Sequence, residues 1–63
     1  MIDSKDKLRI HLKTFKYKNL VRGVNKFALY PLFCQYYETH QDRYTMPKID
    51  VLEMASIILI EED

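Results

Sequence analysis

The chain has one cysteine, one glycine, two prolines and no tryptophan among its 63 residues. A single cysteine excludes an internal disulfide, and too few cysteine and histidine residues are present for a metal-stapled mini-domain. Because Gly23 is the only glycine, a glycine-rich loop that cradles phosphate cannot form. The longest apolar run, at residues 57–60, is much shorter than the roughly 20 residues of a membrane-spanning helix. Charges interrupt the N-terminal residues, so we expect no signal peptide and a cytoplasmic protein.

What is present describes one small globular domain, spanning residues 1–63. Hydrophobic residues make up 48% of the chain and charged residues 30%, a balance too apolar for disorder and too charged for a membrane. A chain this short buries little area in its own core. We therefore expect it to gain further buried area by self-association or by docking on a larger partner.

The net charge of +1 conceals two oppositely charged halves. Residues 1–27 hold eight of the ten lysines and arginines against two acidic residues, a net charge of +6. Residues 28–63 carry a net charge of −5. A basic half can steer toward nucleic acid or an acidic protein, or the two halves can complement each other in the fold or across a dimer.

Periodicity predicts helices. In the first segment, from Ser4 to Tyr17, alternation over residues 7–15 fits a strand, but Leu8 and Leu12 lie one helical turn apart and Ser4 can cap. A second helix is predicted from Asn19 to about residue 29, with Gly23 at its middle.

Proline and threonine mark the later helices. Pro31 predicts the start of a third helix that extends to about His40. A fourth begins near Thr45 and continues through residue 60, unless residues 56–60 form a strand. The chain has no Asn-Gly or Asp-Gly hairpin pair. We predict an all-α fold of three to four helices, dimeric, with an α+β fold (strands at 7–15 and 56–60) as the alternative.

One segment resembles a known family. Residues 7–15, with the sequence KLRIHLKTF, look like the opening strand of the tenth protein of the small ribosomal subunit. That resemblance implies an α+β fold and contacts with ribosomal RNA. It covers nine residues and ends after Phe15.

Catalytic constellations are nearly missing from the sequence. Cys34 has no cationic neighbour in sequence to lower its pKa, so a buried structural thiol is the expected role. Asp50 and Glu53 have helical spacing, but two carboxylates on an exposed helix are ordinarily solvated. We predict that the chain is not an enzyme and has no catalytic residue, cofactor or metal ion.

Two candidate binding features are present. In the first, cations alternate with aromatics, as in surfaces that bind single-stranded nucleic acid or an acidic partner: Lys13, Phe15, Lys16, Tyr17 and Lys18. The alternative places Phe15 in the core and the lysines on a solvated rim. The second is a predicted protein interface made of tyrosines and the second apolar face of the last helix: Tyr36, Tyr37, Ile49, Met54, Ile57 and Ile60. The alternative is packing within the monomer.

These features support two functional hypotheses. The first is a non-catalytic regulator or adaptor of the phage or mobile-element type that docks on a larger protein and forms a homodimer. The second is a small nucleic-acid-binding regulator that uses the basic N-terminal half. We expect neither a membrane nor a small-molecule substrate as a partner.

Overall fold

The computed structural model describes residues 1–62, which form three α-helices. They are α1 (Lys5–Val21), α2 (Leu29–Thr39) and α3 (Lys48–Ser56), and α3 continues into a π-helical segment, Ile57–Glu61. Short 3-10 turns, Lys26–Ala28 and Gln41–Arg43, connect the helices. The all-α prediction is confirmed, and no strand forms within residues 1–62. The dimer stays a prediction, and Asp63, counted in the acidic half, lies outside the described residues.

α1 begins as the sequence predicts. The Ser4 side chain accepts a hydrogen bond from the backbone N–H of Lys7 at 3.3 Å, which satisfies one donor of the first turn. Leu8 and Leu12, one turn apart, are fully buried, whereas Ile10 between them is 67% exposed. The strand alternative for residues 7–15, and the strand implied by the ribosomal resemblance, are therefore wrong.

The end of α1 differs from the prediction. Asn19 does not cap a second helix, because it lies inside α1 and its side-chain amide donates to the Phe15 carbonyl. The helix ends instead at Val21, two residues before Gly23, whose φ of +89° strains any residue with a Cβ. The N–H of Gly23 donates to the Leu20 carbonyl and that of Val24 to the Asn19 carbonyl, the Schellman ending. The predicted helix over residues 19–29 is wrong for this reason.

The later helices begin close to their prolines. α2 starts two residues before Pro31, which lies in the first turn, where a missing N–H breaks no helical bond. α3 starts at Lys48, directly after Pro47, so Thr45 is not its cap. The backbone N–H and the hydroxyl of Thr45 both donate to the Ile2 carbonyl, and this ties the N-terminus to the loop before α3.

The hydrophobic core lies between the three helices. Its members are buried and come from every helix and from the loop that precedes α3: Leu8, Leu12, Leu29, Phe33, Tyr37, Tyr44, Val51, Ala55, Ile58 and Leu59. The last four come from the final segment, so that segment packs as a helix. The strand alternative for residues 56–60 is also wrong.

Lys16 is the least expected member of the interior. Its side chain is only 7% exposed, and its Nζ donates to the Ile58 carbonyl at 3.0 Å and to the Glu62 carbonyl. A cation at a helix C-terminus satisfies free carbonyls and neutralises the negative end of the dipole. The prediction that Lys16 contacts a partner is therefore corrected. Its ammonium group instead donates hydrogen bonds to carbonyls at the C-terminal end of the last helix.

We expect Lys16→Met to lower the free energy of unfolding by about 1–3 kcal/mol. Methionine keeps an apolar stem but leaves the buried Ile58 carbonyl without its donor. Lys13→Met, on the exposed side of α1, should change stability by less than about 0.5 kcal/mol. Urea denaturation of the three proteins measures both effects, and equal stability of the two variants would contradict the structural role of Lys16.

Candidate functional site

A groove of about 990 Å³ runs between α1 and α2. We call it the α1–α2 groove. Residues of α1, of α2 and of the turn after α2 line it, among them Phe15, Lys18, Arg22, Leu32, Tyr36 and Arg43. Phe15 of α1 contacts Phe33 of α2, and the facing side chains of the two helices form the walls of the groove.

Aromatic rings form the floor of this groove. The Phe15 ring lies 5.4 Å from that of Phe33 at an angle of 81°, and 5.6 Å from that of Tyr36. His11 contacts the same group, 5.9 Å from the Tyr36 ring. Because its neighbours in the core take up the Phe15 ring, Phe15 contributes an apolar floor and not a free platform for stacking on a base. The core alternative considered for Phe15 describes its position better.

Three cations surround the floor. Lys18 and Arg22 lie near the C-terminal end of α1, and Arg43 follows α2. The Arg43 guanidinium donates to the Tyr36 hydroxyl at 3.2 Å. Among residues 1–62, no aspartate or glutamate lines the groove. The groove therefore combines an apolar floor with a positively charged rim.

The structure separates the five residues of the predicted basic and aromatic surface. Lys13, Tyr17 and Lys18 are exposed, whereas Lys16 is buried and Phe15 is partly buried. Lys18 lines the α1–α2 groove, but Lys13 lines a different depression, which Leu20 and Ile58 share. A single surface made of all five side chains does not exist.

The predicted protein interface is also divided. Tyr37 is buried, with its ring 4.9 Å from that of Tyr44, so its proposed contact with a partner is corrected to a core role. Tyr36 is half-buried and belongs to the α1–α2 groove.

On α3 the apolar second face is interrupted. Ile49 is 74% exposed and Ile57 is 37% exposed, with the exposed Glu53 one turn from each. Met54 and Ile60 are partly buried, and Met54 packs against the core. The face that the sequence predicts as continuous is therefore partly covered within the monomer and broken by a carboxylate.

The structure shows a further apolar line along α1 that was not predicted, and two of its members, Tyr17 and Val21, also line the α1–α2 groove. We call Ile10, Tyr17 and Val21 the outer line, since they are seven and four residues apart and share one helix face. Each is about two-thirds exposed or more. The helical spacing was visible in the sequence, but the incorrect helix end near residue 19 separated Val21 from the other two. Arg22 and Arg43 were missed because only the fold brings them beside Lys18.

No protein-family model matches this sequence, and comparisons with curated proteins and with solved structures find no similar chain. None of the helices in residues 1–62 combines the length and the apolar character that crossing a membrane requires. Within the same residues no group of three metal-ligating side chains lies together, and Cys34 is partly buried.

His11 joins the groove to the core. Its Nε2 lies 2.7 Å from the Tyr44 hydroxyl. Burial, followed by the nearby Arg43 charge, holds the pKa of His11 below its ordinary value. Burial and the neighbouring Tyr36 raise the pKa of Tyr44, so the phenol stays protonated. His11 is thus neutral near pH 7 in the folded protein.

We expect the free energy of unfolding to fall as the pH is lowered from about 7 to about 5. The pKa of His11 is lower in the folded chain than its ordinary value of 6.5, so the unfolded state binds more protons in this range. His11→Gln should flatten this dependence, because the amide can replace the hydrogen bond to Tyr44 but does not titrate. Urea denaturation at several pH values measures it, and parallel curves for the two proteins would contradict the assignment.

Proposed function

We propose that the chain is a non-catalytic protein-binding regulator or adaptor that docks on a larger protein. The observation that carries this proposal is the outer line of α1, where Ile10, Tyr17 and Val21 are 67%, 71% and 69% exposed. Apolar side chains aligned on one face of a helix favour contact with another protein. Tyrosine at the centre of the line is a residue type enriched among those that dominate binding energy.

The charge distribution supports a protein partner more than nucleic acid. A nucleic-acid surface on α1 needs Lys16 at the phosphates and Phe15 on a base, but Lys16 bonds to the C-terminal carbonyls and the Phe15 ring packs against Phe33. The remaining exposed residues combine apolar contact area with a few cations, which suits an acidic protein surface. We therefore keep nucleic-acid binding as the alternative, and nuclease treatment distinguishes it from protein binding.

We propose the cellular setting by analogy with other small proteins. Small chains without site chemistry are common regulators in phages and mobile elements, and we place this one among them. We also propose a cytoplasmic location, where a single unpaired cysteine such as Cys34 stays reduced.

Substitution of the outer line should abolish capture of the partner. We expect the tagged chain to retain one protein from extracts of its native cell in a near-stoichiometric amount, with or without nuclease. Tyr17→Ser combined with Val21→Ser should reduce that retention about ten-fold or more, because two exposed anchors are lost. Quantitative mass spectrometry of the bound fraction measures it.

Phe27→Ser is the control. This residue is 75% exposed and lies outside the outer line and outside the predicted protein interface, so retention should be unchanged. Retention that depends on nucleic acid and disappears with nuclease would contradict the proposal and favour the nucleic-acid alternative. Equal retention by all variants would contradict the role of the outer line.

Self-association is the second part of the proposal, and the exposure of Ile57, in the π-helical segment after α3, supports it. This side chain is 37% exposed next to the partly buried Met54. In a homodimer the melting temperature should rise with protein concentration, and Ile57→Asp should convert the dimer to a less stable monomer. Analytical ultracentrifugation measures the mass, and a particle of 7.6 kDa at high concentration with a concentration-independent melt would contradict the dimer.

A further inference from the structure

No acidic side chain within residues 1–62 pairs with the cations of the α1–α2 groove. In residues 1–62, neither Lys18 nor Arg22 forms an ion pair, and the acidic residues closest to Arg43 in sequence, Glu38 and Asp42, do not line the groove. Within residues 1–62 the hydrogen bond of the Arg43 guanidinium goes to a neutral group, the Tyr36 hydroxyl. The positive charge of the rim is therefore not compensated by the groove itself.

Helix capping does not require the two cations on α1 either. The carbonyls of Lys18, Asn19 and Leu20 accept hydrogen bonds from the backbone N–H groups that follow the helix. A lysine or arginine in the last turn commonly serves those carbonyls. In this chain backbone N–H groups already donate to those carbonyls. The Lys18 and Arg22 side chains therefore remain available at the mouth of the groove.

The positions of the cations set the distance between the positive charges at the two ends of the groove. Tyr44, which directly follows Arg43, has its hydroxyl 2.7 Å from His11 Nε2, so Arg43 lies at the end of the groove where His11 is found. Lys18 and Arg22 follow His11 by seven and eleven residues, which corresponds to roughly 10 and 17 Å along a helix at about 1.5 Å per residue. Two positive ends thus lie two to three helical turns apart, on either side of the apolar floor formed by Phe15, Tyr36 and Leu32.

We infer that the α1–α2 groove binds an acidic amphipathic helix of the partner protein, an inference that rests on the proposed protein-binding function. The apolar stripe of that helix packs on Phe15, Leu32 and Tyr36. Its carboxylates, seven to eleven residues apart, pair with Arg43 at one end and with Lys18 and Arg22 at the other. A helix whose apolar side chains repeat at i, i+3, i+4 and i+7 fills a groove between two helices in this manner.

The test uses a designed probe and not the natural partner. The probe is a fluorescein-labelled peptide of about 14 residues with leucines at i, i+3, i+4 and i+7 and glutamates near both ends. Fluorescence anisotropy measures its affinity for the full chain, and amide chemical shifts of the isotope-labelled chain locate the site. Control peptides carry lysine in place of glutamate, or the same composition in scrambled order.

We expect the acidic peptide to bind, with shifts at Thr14, Lys18, Gln35 and Thr39, and with affinity that falls as salt is added. Lys18→Glu combined with Arg22→Glu should weaken binding about ten-fold or more and should allow the lysine peptide to bind. Lys5→Glu combined with Lys48→Glu is the matched control. It changes the net charge equally, at exposed positions outside the groove, and should bind as the parent does.

Several results would overturn the inference. Equal affinity for the acidic and the lysine peptides, no binding of the acidic peptide, or shifts confined to Phe27 and Ile49 would each exclude an acidic helix in this groove. If the partner retained in the pull-down still bound the Lys18→Glu, Arg22→Glu variant, the protein-binding function would stand and the groove assignment would fail. If a single-stranded oligothymidine displaced the peptide and bound more tightly, both the groove's occupant and the proposed function would be wrong.

Discussion

The buried ammonium of Lys16 is the contact on which the rest of the fold depends. It joins α1 to carbonyls that lie 42 and 46 residues later, at the end of the last helix. The π-helical segment leaves carbonyls at its C-terminal end, and a cation there satisfies them while it offsets the helix dipole. The ion pair between Arg9 and Glu62, at 3.3 Å, reinforces the same junction from the surface. With the ends of the chain joined, Leu12 and Leu59 are buried in one core.

The inward position of Lys16 also determines how the basic half is divided. Lys13 and Lys18 flank Lys16 in sequence, but they belong to different depressions on either side of α1. Lys18 is thereby grouped with Arg22 and with Arg43, which comes from the acidic half of the chain. The positive rim of the α1–α2 groove is thus a product of the packing and does not correspond to the charge division along the sequence.

The small size of the core explains the use of the tyrosines. A chain of 63 residues has few large aliphatic side chains to spare, and aromatic residues supply much area each. Tyr37 and Tyr44 are nearly completely buried, and polar partners satisfy the hydroxyls at the edge of the cluster, as His11 does for Tyr44. Most residues of the predicted protein interface therefore lie wholly or partly in the interior. The exposed apolar side chains of the outer line on α1 remain for contact with a partner.

The sequence by itself determined the helical class and the approximate positions of the three helices. These depend on local geometry: the Ser4 cap, the one-turn spacing of Leu8 and Leu12, and the tolerance of a first turn for Pro31. Of the residues that the sequence indicated for two different surfaces, Lys18 and Tyr36 both line the α1–α2 groove. Gly23 was a local signal for the end of α1, because glycine readily adopts the positive φ found there. Apolar residues at helical spacing on both sides of Gly23 concealed this signal in the sequence.

Only the tertiary structure decided that Lys16 and Tyr37 lie inside, that Ile10 lies outside, and that Arg22 and Arg43 join Lys18 at one groove. Periodicity places residues on a common face, but whether that face is buried depends on the area that distant elements bring to it. A lysine can be buried because carbonyls at the other end of the chain accept its hydrogen bonds. Ile10 remains 67% exposed because no other element within residues 1–62 covers it.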